Sequence, residues 1–170
     1  MEQPLPHSAD LRKHRYDASN RLYFITKRVA PGNGVDLAQA PIAGVIIQTL
    51  FWLVENRRLW LLGFVVMPDH LHLVMAPRAP HQLRTVMQNL FSYSARQINT
   101  QLRRQGSLWA EEYYEHLLTS REKVQPCLDY IYQNPVRKNL AAQAADWSYS
   151  SLRPEYHERM AWRWLQGLEA

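Results

Sequence analysis

The chain has 170 residues, a net charge of +5 and one cysteine, Cys127. That length suits one compact domain able to bury its own core, and a lone cysteine excludes both an internal disulfide and a cysteine-based zinc site while suiting a reducing compartment. The polar start lacks the apolar run of a signal peptide, and the best apolar run, Trp60–Met67, is strand-sized rather than membrane-sized, so a cytoplasmic protein without a membrane partner is expected.

In chain order, residues 1–20 read as a flexible polar arm. Arg21–Val29 sets Leu22, Phe24 and Thr26 against Tyr23, Ile25 and Lys27, the alternation of a strand. Pro31-Gly32-Asn33-Gly34 ends it. From Pro41, apolar residues recur at Ile42, Val45, Ile46, Leu50 and Leu53 with helical spacing. Leu59–Val66 is a continuous apolar run, predicted to be a buried strand. Met67-Pro68-Asp69 supplies a turn, and His70–Ala76 alternates again as the second arm of a hairpin.

Leu83, Met87, Leu90, Ser94, Ile98 and Leu102 predict a long amphipathic helix, and Tyr113–Leu118 a fourth strand. A last helix is predicted from about Arg121 to Asn134, capped by Ser120 and stopped by Pro135. The order β-α-β-β-α-β is that of a ferredoxin-like α+β sandwich with an antiparallel sheet, here followed by one more helix. Residues 21–140 form the predicted domain, and residues 141–170 a tail that packs on it or touches a partner.

Two short segments carry chemistry. Residues His70 and His72 are two apart on a strand, so they share one face and their ring nitrogens can converge on one cation. Neutral imidazole suits manganese, zinc, iron or nickel better than magnesium. Taken alone, such a pair is more often ordinary packing. In Asp129-Tyr130-Ile131-Tyr132-Gln133-Asn134-Pro135, helical geometry puts Tyr130 and Asn134 on one face and turns Tyr132 elsewhere. An amide oxygen at Asn134 can ligate a hard cation, and Tyr130 offers a phenol.

Together these segments resemble a known family. Met67-Pro68-Asp69-His70-Leu71-His72-Leu73 followed by Asp129-Tyr130-Ile131-Tyr132-Gln133-Asn134-Pro135-Val136 is similar to the HUH-type single-tyrosine transposases of the IS200/IS605 kind, most closely to their REP-associated tyrosine transposase branch. Leu108-Trp109, Tyr113-Tyr114 and Asp146-Trp147-Ser148-Tyr149-Ser150-Ser151 extend the likeness, which runs from about Tyr16 to Leu152. It implies a ferredoxin-like fold, a metal site on His70, His72 and Asn134 for magnesium or manganese, and Tyr130 as nucleophile. Insertion-sequence relatives usually carry glutamine where this chain has Asn134, and often glycine after the Val136 position. Arg137-Lys138-Asn139 stands there instead, and asparagine also tolerates the left-handed conformation a helix exit needs.

The implied activity is cleavage and transfer of single-stranded DNA at palindromic hairpin repeats through a 5′-phosphotyrosine. A phenol ordinarily ionises near pH 10, and no dedicated base is evident, so metal-bound water is one candidate. Candidates for contact with the DNA backbone are Lys27, Arg28, Arg84, Arg96, Arg103, Arg104, Arg137 and Lys138, since guanidinium forks match phosphate oxygens. Trp147, Tyr149, Trp162 and Trp164 are candidates for base stacking or for packing of the tail. His81 and His116 read as structural, and Glu111-Glu112 as a solvated edge.

Two rivals compete: a hairpin-binding protein that does not cut, and a hydrolase that uses His70, His72 and Asp69 to activate water. No protein partner is expected, and the chain is read as a monomer or a homodimer.

Overall fold

The computed structural model describes residues 20–167. The polar arm expected over residues 1–20 lies outside the described residues except for Asn20. The elements are β1 (Leu22–Arg28), α1 (Ala40–Glu55), β2 (Leu59–Val66), β3 (His70–Pro77), α2 (Leu83–Gln101), β4 (Tyr114–Leu118) and α3 (Val124–Arg137), then two short tail helices, α4 (Pro154–His157) and α5 (Trp162–Leu165). The four strands form one antiparallel sheet in the order β2-β3-β1-β4. This is the expected ferredoxin-like α+β sandwich. No helix among the described residues is long and apolar enough to cross a membrane.

Every residue of β2 and β3 is buried, because both faces of the sheet are covered. One face carries Tyr23, Ile25, Leu61, Phe64, Leu71, Leu73 and Met75 into a core with α1 and α2. The opposite face carries Leu62, Val65, Val74 and Ala76 into a second core with Val124, Leu128, Ile131 and Tyr132 of α3. The histidines belong to this second face, so α3 closes over them.

Residue Gly63 fixes how closely α3 approaches. A β-carbon there would stand 2.3 Å from Leu128 Cδ2 and 3.2 Å from the Tyr132 hydroxyl. The register between β2 and β3 shifts between Leu61 and Gly63, a bulge of the kind that marks close approach.

Three details of the last helix differ from expectation. A short 3-10 turn, Arg121–Lys123, precedes α3. The Ser120 side chain makes no capping bond. Helix α3 also runs through Pro135 to Arg137. Proline cannot donate to the carbonyl one turn back, but Pro135 and Asn134 are both buried against the sheet, and the continuation is only one turn. That turn closes in a Schellman motif: the Asn139 and Leu140 amides donate to the carbonyls of Val136 (2.9 Å) and Pro135 (2.9 Å). Asn139 takes the left-handed conformation there, at φ 55°, as its residue type suggests.

The tail is strapped along the outer edge of β2. Amides of Val66, Ser151 and Ala161 exchange backbone bonds with Tyr149 (2.9 Å), Phe64 (3.0 Å) and Leu61 (2.8 Å) across that edge. Indole Nε1 of Trp147 donates to the Val66 carbonyl at 2.9 Å, and Trp164 stacks on Trp60 at 5.4 Å. Of the two roles considered for the tail aromatics, packing is the one these contacts describe.

Candidate metal and nucleophile site

The central strand β3 presents His70 and His72 toward α3, with Thr26 of β1 and Val65 of β2 flanking His72 in register. Both histidines are about 5 % exposed. Their Nε2 atoms stand 3.1 Å apart, and the Asn134 side-chain amide stands 3.1 Å from His72 Nε2. The amide's oxygen and nitrogen are interchangeable by a flip of the group, so the oxygen can take that place.

The far side of each ring is held as well. His70 Nδ1 donates to Asp69 Oδ1 at 2.6 Å, and His72 Nδ1 lies 2.8 Å from the Thr26 hydroxyl. An ionised carboxylate only accepts, so it fixes the His70 proton on Nδ1 and leaves the Nε2 lone pair turned inward. Thr26 can accept from His72 Nδ1 and leave its Nε2 equally free.

This donor set fits a divalent cation. Two ligands about 2.1 Å from one ion at a right angle stand about 3 Å apart, close to the spacing seen here. The outer bonds from Asp69 and Thr26 are the supports that metal-binding histidines use. Among the described residues, no three histidine, cysteine or carboxylate side chains gather around one point; the third group beside the two imidazoles is the Asn134 amide. Asp69 does not join the inner cluster. It reaches the outer nitrogen of His70 and pairs with Arg28 at 3.4 Å, an arrangement that serves ring orientation.

Electrostatics keep both imidazoles neutral. Burial, then the neighbouring His70 and Arg28, bring His72 down to about 3. Burial also lowers His70, with Arg28 and Lys138 assisting against the opposing hydrogen bond and charge of Asp69. Burial pushes the Asp69 carboxyl up, but the bond from His70 and the charge of Arg28 oppose it, and the carboxyl lies below the usual range. Neutral imidazole is the form that ligates a cation.

Residue Tyr130 is 42 % exposed, on the rim of this site. Its ring centroid lies 5.7 Å from that of His72 and 6.0 Å from that of Phe24. Phe24 stacks on His72 at 5.2 Å and meets Tyr114 edge-on. It therefore forms the apolar backing between His72 and the phenol. The Arg137 guanidinium lies 5.1 Å over the Tyr130 ring. Tyr132 points away, as the helical spacing predicts. It is buried, with its hydroxyl 3.0 Å from Ser151 Oγ.

The eight basic candidates separate. Arg28, Arg137 and Lys138 surround the site and are exposed. Lys27 has to be corrected: it is 4 % exposed on the opposite face of the sheet. Its ammonium lies over the Phe91 ring at 4.8 Å and bonds to the carbonyls of Glu111 and Glu112. Burial lowers it to about 8 against the pull of Glu112, and it cannot reach a phosphate on the surface. Arg84 and Arg96 lie on α2, in the layer across the sheet, and Arg103 and Arg104 follow its end. Arg104 braces the following loop through Asn99 at 2.7 Å. The structure does not bring these four to the histidines.

Sequence reasoning missed Thr26, Phe24 and Gly63. Thr26 and Phe24 were visible only as one face of β1, and their meeting with His72 depends on a pairing between β1 and β3 that no local pattern encodes. A lone glycine inside the apolar run of β2 was a signal for Gly63.

Comparison with known proteins places these observations in context. The family model described as "Transposase IS200 like" matches residues 36–134. A Haemophilus influenzae protein named "Putative REP-associated tyrosine transposase" is 33% identical over 97 residues, 51% of this chain and 54% of that protein. The Escherichia coli "REP-associated tyrosine transposase" is 28% identical over 93 residues, 52% of each. The chain thus spans about half the length of the curated relatives it matches. A solved structure of a REP-associated tyrosine transposase bound to a REP hairpin has the same fold, with a TM-score of 0.70 and 18% identity over 92% of this chain and 87% of that one.

Proposed function

The chain belongs to the family of IS200-like transposases, and from that premise we propose that it is a metal-dependent single-strand DNA endonuclease and strand transferase that acts at hairpin-containing repeats through a 5′-phosphotyrosine on Tyr130. The observation that carries this reading is the convergence of His70 Nε2, His72 Nε2 and the Asn134 amide at 3.1 Å spacings beneath an exposed tyrosine. The same relatives support DNA with palindromic repeats as the substrate class.

Residues His70, His72 and Asn134 hold the cation, with Asp69 and Thr26 keeping the rings in register. When bound, magnesium or manganese supplies Lewis acidity and charge neutralisation at a phosphate. Arg28, Arg137 and Lys138 gather the strand over the site by pairing with its phosphates. Phe24 excludes water from beneath the phenol and fixes its approach.

The Tyr130 hydroxyl attacks phosphorus in line. Its oxygen forms a bond to phosphorus as the bond to the 3′-oxygen breaks, and the proton lost by the phenol is balanced by the one gained on the departing 3′-hydroxyl. The phosphodiester energy is kept in the phosphotyrosine, so a second 3′-hydroxyl can reverse the step and join strands.

The test is incubation of end-labelled single-stranded DNA carrying a palindromic repeat with manganese or magnesium, wild type against Tyr130→Phe, on a denaturing gel. A 3′-side fragment joined to the protein through its 5′ phosphate is expected from the wild type alone, with a free 3′-hydroxyl on the other fragment. Cleavage by both proteins would sink the tyrosine mechanism in favour of activated water. Tight binding without cleavage by either would leave a hairpin-binding relative.

A further inference from the structure

A second basic pocket, of roughly 510 Å³, lies where the loops after α1 and β3 meet the tail. Arg57, Arg78, Asn56, His81, Trp60 and Trp164 contribute to its lining, and among the described residues no carboxylate does. It sits at the Pro77 end of β3, whereas the metal and nucleophile site sits at the His70 end. Strand β3 is eight residues long, which separates the two by about 23 Å at ~3.3 Å per residue.

One of these cations is held in place. The Arg78 guanidinium lies 3.8 Å over the Trp60 ring, and Trp60 also stacks on Trp164. Stacking fixes the plane of the fork, and N–H groups in that plane are the ones that meet phosphate oxygens in pairs. Arg58 stands beside His81 at 3.3 Å. Glu55, at the end of α1, is turned away into a 2.6 Å pair with Arg159.

The conformation of Arg57 is the second, independent sign. Helix α1 ends in a Schellman motif in which the Arg57 and Arg58 amides donate to Val54 (3.0 Å) and Leu53 (2.8 Å). Arg57 occupies its left-handed position, at φ 56°. Glycine is the usual occupant of that position because a β-carbon is strained there. A cation kept where glycine would be more stable is the kind of local cost that accompanies a working residue.

We propose that this pocket is a second phosphate site, which grips the sugar-phosphate backbone of a DNA whose reacting phosphate lies at His70, His72 and Tyr130. The proposal rests on DNA being the substrate class, and not on Tyr130 being the nucleophile. Because one DNA strand advances 3.4 Å per base pair along a duplex, a stem of about seven base pairs bridges the two sites.

The test is fluorescence anisotropy in EDTA, so that binding is read without cleavage. Fluorescein-labelled DNA hairpins with stems of about seven and about three base pairs are titrated across salt concentrations. Arg57→Gly is the main variant, because it relieves the strained backbone and keeps the fold. Arg78→Lys is the second, keeping the charge and losing the fork. For Arg57→Gly the expected result is a melting temperature at or above wild type, affinity for the long hairpin lower by roughly three- to tenfold, and a salt slope reduced by about one. The short hairpin loses nothing, and Arg78→Lys weakens the long hairpin in the same way.

Wild-type affinity and slope for Arg57→Gly on the long hairpin would overturn the proposal, as would equal weakening of both lengths. Titration with inorganic phosphate separates the sources: a phosphate signal that Arg57→Gly abolishes while DNA affinity stays would make this a free-anion site. The same binding differences in a protein that never cleaves would overturn only the Tyr130 mechanism.

Discussion

Residue Asp69 is the most economical place to test the metal reading, because it reaches the outer nitrogen of His70 and not the centre of the cluster. Its carboxylate fixes the His70 proton on Nδ1. In Asp69→Asn a neutral amide replaces the carboxylate. Such outer partners ordinarily matter by about 10- to 100-fold in metal affinity, and isothermal titration with manganese is expected to show a loss in that range with the fold intact.

The pH dependence of stability follows from the same histidines. Their folded values lie below the ordinary value near 6.5, His72 at about 3 and His70 in the same direction. The unfolded chain therefore takes up protons near pH 6.5 that folded His72 refuses until about 3, and folded His70 resists protonation in the same sense. The His72 contribution is complete above about pH 6.5 and drains as the pH falls toward 3, by up to about 1.4 kcal/mol per unit. Urea midpoints measured between about pH 7.5 and 4 check this. His72→Gln, which has no proton to gain, is expected to flatten the curve.

At the scale of elements, the distance between α3 and the sheet decides whether Tyr130 and His72 meet. Gly63 sets that distance, with Leu128, Ile131 and Tyr132 packed against the space a side chain would fill. Gly63→Val overpacks the contact and is expected to lower stability by about 1–3 kcal/mol while depressing cleavage further than the loss of folded protein explains. Chemical denaturation alongside a single-turnover assay distinguishes the two effects.

The fold was largely legible because its signals are local. Alternation in β1, the apolar run of β2, the helical spacing of Leu83, Met87 and Leu90, and His70 and His72 on one strand face all come from neighbours in sequence. What escaped was set by partners far along the chain. Lys27 carries an ordinary surface residue type, yet Phe91, Tyr113 and two carbonyls from the loop before β4 capture it. Pro135 carries the usual signal for a helix end, yet burial and one closing turn override it. Asn134 was placed correctly on the Tyr130 face, because helical geometry fixes that from spacing alone.

At the scale of the whole molecule, the sheet divides labour. One face is filled by α1 and α2 and serves as the packed interior. The other gives up part of its apolar surface to two histidines, and α3 and the tail together close it. The tail's share is testable. It covers the edge of β2 by backbone bonds and anchors α3 through the Ser151–Tyr132 contact. A chain ending at residue 147 loses both and bares an unpaired strand edge. It is expected to unfold at a lower denaturant concentration and to form larger assemblies, by light scattering, than the full chain does.

The strap also orders events during synthesis. A ribosome releases His70, His72 and Tyr130 before it releases Ser151, Ala161 and Trp164. Until those last residues emerge, the helix that bears the phenol lacks its anchor and the edge of the sheet lies open. A nascent chain therefore holds the two histidines and the phenol before it holds the strap that fixes their helix against the sheet.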